Sequence, residues 1–211
     1  MARLVLLLLS LAALALPRGA QARDFDFYVL SLSWSPSWCA ANDRNRSSAQ
    51  CDGRRPYTFI AHGLWPQYER GWPEYCPSRE PERVPQALAE TLYDIIPSPG
   101  LAGHEWRKHG TCSGLTQRAY FEAVRTAFRK VRLPPLLFDG RLQRRLAVDE
   151  IEALFIRANP GLRRDGISVG CDGGPLNEIR ICLTKSLTFR ACEELDRKSC
   201  RARTVTLPAL P

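Results

Sequence analysis

Residues 25–34, FDFYVLSLSW, alternate in side-chain character and are rich in aromatic and β-branched residues, so they read as a buried strand. Working outward, residues 57–61 (YTFIA) read as a second short strand that delivers His62 at its end. From Ile167 the pattern turns to short strands again: ISVGC (167–171), NEIRICLT (177–184), SLTFRAC (186–192) and ARTVTL (202–207). Helical spacing fills the middle of the chain. Val84, Leu88, Leu92 and Ile95 share one helical side until Pro97-Ser98-Pro99 stops them. A helix over 117–132 places Tyr120, Phe121, Val124, Phe128 and Val131 together. Asp149 and Glu152 have the spacing of a capping box, opening a helix through Ala158 that Asn159-Pro160-Gly161 ends. Strands and helices do not alternate strictly. The fold class expected is therefore α+β: a largely antiparallel β-sheet packed with several α-helices.

A chain of 211 residues favours one domain. Its first 22 residues do not belong to that domain. Arg3 gives a positive start, Leu4 to Leu16 is almost wholly apolar, and Ala20-Gln21-Ala22 follows the break at Pro17. The apolar run is shorter than the ~20 residues that span a bilayer. It reads as a cleaved signal peptide over 1–22, followed by a single domain over 23–211. Secretion or export to a periplasm follows, with no membrane association of the mature form. The 8 cysteines are Cys39, Cys51, Cys76, Cys112, Cys171, Cys182, Cys192 and Cys200. None forms a C-x-x-C pair, and an even number in an exported chain points to disulfides whose pairing the sequence alone leaves open. The formal net charge is +8. That balance suits a polyanionic partner, although on its own it is a weak signal.

The 3 histidines sit in two compact segments, FIAHGLWP (59–66) and HEWRKHGTC (104–112). Histidine is the side chain whose ordinary pKa suits proton transfer near neutrality. On an ideal helix His104, Lys108, Glu105 and His109 fall at roughly 0°, 40°, 100° and 140°, with Trp106 at roughly 200°. Two imidazoles, a carboxylate and an ammonium thus share one side, while the indole points toward the core. Gly110 ends that helix. His104-Glu105 begins like the zinc-protease pattern H-E-x-x-H, but position 108 is Lys and the second histidine comes at 109, so no metal site is expected.

These two segments resemble the active-site segments of the ribonuclease T2 family in order and separation. ANPGL (158–162) and the NEIRICLT strand are similar to bacterial-type members, so the resemblance covers nearly all of the mature chain. It implies that His62 is the general acid and His109 the general base. His104 would bind phosphate, Glu105 and Lys108 would assist the transition state, and Trp65 would line the nucleotide site. No cofactor is implied. Two departures stand out. Ala61 replaces a larger apolar residue, and Gln67 follows the Trp-Pro pair where some relatives carry an acidic residue that selects the base. Base preference therefore cannot be carried over. For the cysteines the resemblance implies Cys76–Cys112, which would tie the two segments together. Separately, Cys39–Cys51 would close a local loop, and Cys171–Cys200 and Cys182–Cys192 read as a nested pair bracketing the C-terminal strands.

The expected activity is metal-independent cleavage of single-stranded RNA through its own 2'-hydroxyl, by a monomer. DNA, which lacks that hydroxyl, would be left intact. An inactive RNA-binding or protein-binding homologue would be expected to have lost a histidine or the lysine, and none is lost. A secreted inhibitor or lectin-like domain would leave the clustering of histidines unexplained.

Overall fold

The structure, a computed structural model, describes residues 24–138, 143–171, 173–196 and 199–210. The leader expected at 1–22 lies outside the described residues. In chain order the elements are β1 (Phe27–Trp34), α1 (Ser35–Asn42), β2 (Phe59–Gln67), α2 (Gln86–Glu90), α3 (Pro99–Lys108), α4 (Gln117–Lys130), α5 (Pro135–Phe138), β3 (Arg144–Ala147), α6 (Val148–Ala158), β4 (Ile167–Cys171), β5 (Leu176–Leu183), α7 (Glu193–Asp196) and β6 (Thr204–Leu207). Four strands form an antiparallel sheet in the order β2-β1-β5-β4, and β3 pairs with β6. The α+β class is the one expected from the strand and helix pattern.

Alternation in β1 decides what each face of the sheet does. Leu30 and Leu32 stand beside Ile181 and Ile179 of β5, which in turn stand beside Ile167 and Val169 of β4. All six are at most 1% exposed and join one core with Trp106, Tyr120, Phe121, Val124, Ile151 and Phe155 from the helices. Each large apolar side chain removed from water contributes roughly 1.5–3 kcal/mol. The opposite face changes character along its length. Phe27 and Val29 pack with Cys182, Cys192, Trp65 and Leu195, whereas Ser31 and Ser33 stand beside Arg180 and Glu178. One end of this face is therefore apolar and covered, and the other is polar.

Four expectations need correction. β2 does not stop before His62 but continues to Gln67, pairing with β1 throughout. β2 carries Pro66 at the sheet edge, where proline is tolerated. SLTFRAC is not a strand. Thr184 N–H donates to the Thr188 carbonyl at 2.8 Å and only an isolated bridge, Leu183 with Phe189, remains. The helix expected over 84–95 is shortened to α2, with turns after it. Finally, Ala147 and not a side-chain cap precedes α6. The Val148 N–H donates to Arg203 O at 3.1 Å, so the first donor is satisfied by backbone. Asp149 lies in the first helical turn, where a carboxylate favours the helix dipole.

The stop at Asn159 has a clear cause. Its side-chain amide donates to the carbonyls of Arg132 and Phe155, both at 2.8 Å, and its Oδ1 accepts from Arg132 N–H at 2.7 Å. One buried amide thus ends α6 and holds the chain leaving α4. All eight cysteines are paired, as Cys39–Cys51, Cys76–Cys112, Cys171–Cys200 and Cys182–Cys192. Cys76–Cys112 is the pair the family resemblance implied, and the other three are the local and nested pairs expected from the sequence.

Candidate active site

A β-bulge places His62. In the β1–β2 ladder Ser31 faces Gly63 but Leu32 faces Ala61, so His62 is the extra residue on β2. Bulges re-aim side chains. Here the bulge keeps Ala61 in the core while His62 reaches the polar sheet face, where it lines the cleft. Helix α3 delivers the second group. Ser98 caps it by accepting from Leu101 N–H at 3.3 Å, Pro99 sits in its first turn, and Arg107 and Lys108 occupy its last turn, where cations are favourable.

The ideal helical wheel holds for Trp106, which is fully buried and donates its indole N–H to Pro81 O at 2.8 Å. His109 follows the last helical residue as the C-cap, with φ −119° and ψ −44°. His104 remains exposed while Glu105 is only 1% exposed. The four groups do not form one solvated stripe. They nevertheless converge, and His62, Trp65, His104, Glu105, Lys108 and His109 all line one cleft of about 330 Å³. Among the described residues no group of three or more His, Cys, Asp or Glu side chains is arranged to hold a metal ion.

Glu105 and Trp65 form the floor. The Trp65 indole N–H donates to Glu105 Oε2 at 2.7 Å, and Glu105 Oε1 lies 3.6 Å from His62 Nε2. The Trp65 ring stacks on His109 at 5.1 Å and 28°, and meets His62 edge-on at 5.4 Å. A side chain at position 63 would overlap both the Glu105 carboxylate and the Trp65 indole nitrogen. Glycine there is required by close approach. At the cleft wall Lys108 stands 3.8 Å from Glu74. Cys76–Cys112 and a 2.9 Å bond from Tyr75 N–H to Lys108 O fix the loop after β2 to the end of α3.

Two residues that sequence reasoning passed over complete the site. Glu178 Oε2 is 3.5 Å from His62 Nδ1 and accepts from the Ser31 hydroxyl at 2.6 Å, while Oε1 accepts from Arg180 Nε at 2.7 Å. The Arg180 guanidinium lies 5.5 Å from the centre of the Trp65 ring. The only sequence signal was a charged pair at alternate positions within an otherwise apolar strand. Trp72, 51% exposed, also lines the cleft.

The electrostatics separate the two imidazoles. Burial pushes His109 down to about 3, reinforced by the charges of Lys108, His104 and His62. For His62 burial also works against the charged ring, but the hydrogen bond to Glu178 and the charges of Glu105 and Glu178 overcome it, and Arg180, to raise its pKa. Burial lifts Glu105 to about 7, although His62, the Trp65 N–H and Lys108 pull it down. Glu178 is held at about 2. Its burial is outweighed by the bonds from His62 and Ser31 and by the Arg180 charge. The site thus favours the charged form of the His62 ring and the neutral form of His109, while partial burial and the Lys108 charge also lower His104.

Comparison with known proteins identifies the family and the fold. The model of the ribonuclease T2 family matches residues 25–192. Over 128 residues the chain is 41% identical to a ribonuclease of Aeromonas hydrophila, covering 61% of this chain and 54% of that protein. The matched stretches span 47–61% of the length of the first curated relatives. An RNase-related protein from Calystegia sepium shares the fold, with a TM-score of 0.71 at 24% identity over 90% of this chain and 100% of that one. RNase NT, in complex with 5'-AMP, gives a TM-score of 0.62 at 26% identity over 89% and 100%.

Proposed function

The chain belongs to the ribonuclease T2 family, and on that premise we propose that it is an endoribonuclease cleaving single-stranded RNA without a metal ion. The observation that carries this reading is the pairing of His62 and His109 on one cleft with opposite protonation preferences. Neutral His109 accepts the proton of the ribose 2'-hydroxyl, whose oxygen attacks the adjacent phosphorus. Protonated His62 donates to the departing 5'-oxygen. One P–O bond forms and one breaks, leaving a 2',3'-cyclic phosphate that water then opens to a 3'-phosphate. Lys108 meets the negative charge that builds on the phosphorane, and exposed His104 binds the phosphate from the cleft edge. Glu105, anchored by Trp65, supports His62, and Glu178 holds the other side of the same ring. The substrate brings its own nucleophile into position, so no metal is needed to generate one.

Trp65 serves as a fixed wall, because its ring already engages His109 and Arg180. Trp65 and the half-exposed Trp72 both line the cleft and give it aromatic surface suited to a nucleobase. The relative crystallised in complex with 5'-AMP supports a nucleotide as ligand. Four disulfides together with the leader read at 1–22 support a secreted or periplasmic monomer. No helix among the described residues is long and apolar enough to cross a membrane. The test is incubation of the purified protein with a defined RNA, and with the matching DNA, in excess EDTA. Cyclic-phosphate and then 3'-phosphate ends, with intact DNA, are expected. Cleavage that needs added zinc or magnesium, or 5'-phosphate products, would overturn the mechanism.

A further inference from the structure

We infer that a second groove, entered past Arg180, binds the backbone of the RNA chain beyond the nucleotides that flank the cut. This rests on the ribonuclease reading and adds a separate binding surface to it. The groove encloses about 730 Å³ and is lined by Arg145, Arg180 and Arg201 together with Ser168, Asn177 and Thr204 among others. It lies on the polar half of the sheet face, where Ser168 stands beside Arg180 and Gly170 beside Glu178. A side chain at Gly170 would press into Glu178, so glycine keeps the floor low. Arg180 lines both this groove and the catalytic cleft, which makes the two surfaces continuous.

The walls are built in advance. Cys171–Cys200 closes one side, Cys200 N–H donates to Val169 O at 2.7 Å, and Thr206 N–H donates to Gly174 O at 2.9 Å. Arg145 is fixed by a 2.8 Å bond from its Nε to Thr204 Oγ1. Glu178 adds little negative potential, since His62 and Arg180 already engage its carboxylate. The lining holds no large apolar side chain apart from the disulfide, so it lacks the anchor pocket of a protein interface. Arginine forks and hydroxyls on a rigid floor match phosphodiester oxygens, which position a chain without reading its sequence.

The test uses Arg145→Gln/Arg201→Gln, which leaves the proposed catalytic groups untouched. Binding is read by fluorescence anisotropy with a dodecamer RNA carrying 2'-deoxy sugars at the cuttable positions, and turnover with a dinucleoside phosphate. The variant should bind the dodecamer on the order of tenfold more weakly. Its salt dependence should shallow by about 1.4 in log–log slope, near 0.7 for each lost single-strand phosphate contact. Dinucleoside turnover should not change, and Arg145→Lys/Arg201→Lys should restore the slope. Unchanged dodecamer binding and slope would overturn the groove, as would equal losses on both substrates. Failure of the ribonuclease reading shows differently, as wild-type protein that cuts no RNA, and the binding assay does not depend on cutting.

Discussion

The carboxylate of Glu178 on β5 stands 3.5 Å from Nδ1 of His62 on β2, reaching it across the intervening strand β1. The contact joins residues 116 positions apart in the chain. Glu178 is a positioning residue: it holds the imidazole and favours its charged form. In Glu178→Gln the alkaline limb of kcat/KM should move to lower pH while the acidic limb stays in place. Activity on the alkaline side of neutrality should fall several-fold, and Glu178→Asp should recover part of it. A purely structural role would lower kcat at every pH without moving either limb.

The two-histidine assignment has its own pH test. The base must be neutral, so kcat/KM falls as pH drops through the His109 value of about 3. The acid must be charged, so it falls again as pH rises through the raised value of His62. The free protein should therefore show a broad bell. His62→Ala and His109→Ala should each lower kcat by about 10²–10⁴, with the double variant costing much less than the product of the two. Near-normal turnover in the double variant would end the assignment.

Glu105 illustrates a stability cost at a working site. Its folded pKa, about 7, lies above its ordinary 4.5, so the folded state binds more protons between these values. Stability is then fully present below pH 4.5 and is lost as pH rises toward 7. Glu105→Gln should stabilise the protein more at alkaline than at acid pH, by an amount on the order of 3 kcal/mol, while lowering activity. Calorimetry at both pH values decides it. An equal shift at both would mean that the buried charge is not the cause.

The Cys76–Cys112 bridge closes 36 positions and pins the end of α3 to the loop after β2. Cys76→Ser/Cys112→Ser should cost about 2–4 kcal/mol of stability. Activity should fall at temperatures where circular dichroism still reports a folded protein. Loss of both signals together would show that the bridge holds the whole domain and not the site in particular.

Much of this was legible in order along the chain. The two histidine segments, the core side of α4, the strand at 25–34 and the strand at 167–171 follow from spacing alone. What escaped was information carried between strands. Glu178 looks like an ordinary solvent-facing residue until β5 is registered against β1, and the bulge at His62 exists only relative to Ser31 and Leu32. His109 was expected within the helix, which ends one residue before it.

Strand order has a consequence for the cell that makes this chain. His62 and Glu178 sit on the two neighbours of β1, so neither imidazole support nor cleft exists until β1 is flanked on both sides. β5 is among the last strands to be synthesised, and Cys112 must find Cys76 in an oxidising compartment before the second segment is anchored. With the activity proposed above, a partly made or still reduced chain is a disarmed one. The producer's own transcripts would then be shielded by assembly order, without a dedicated inhibitor.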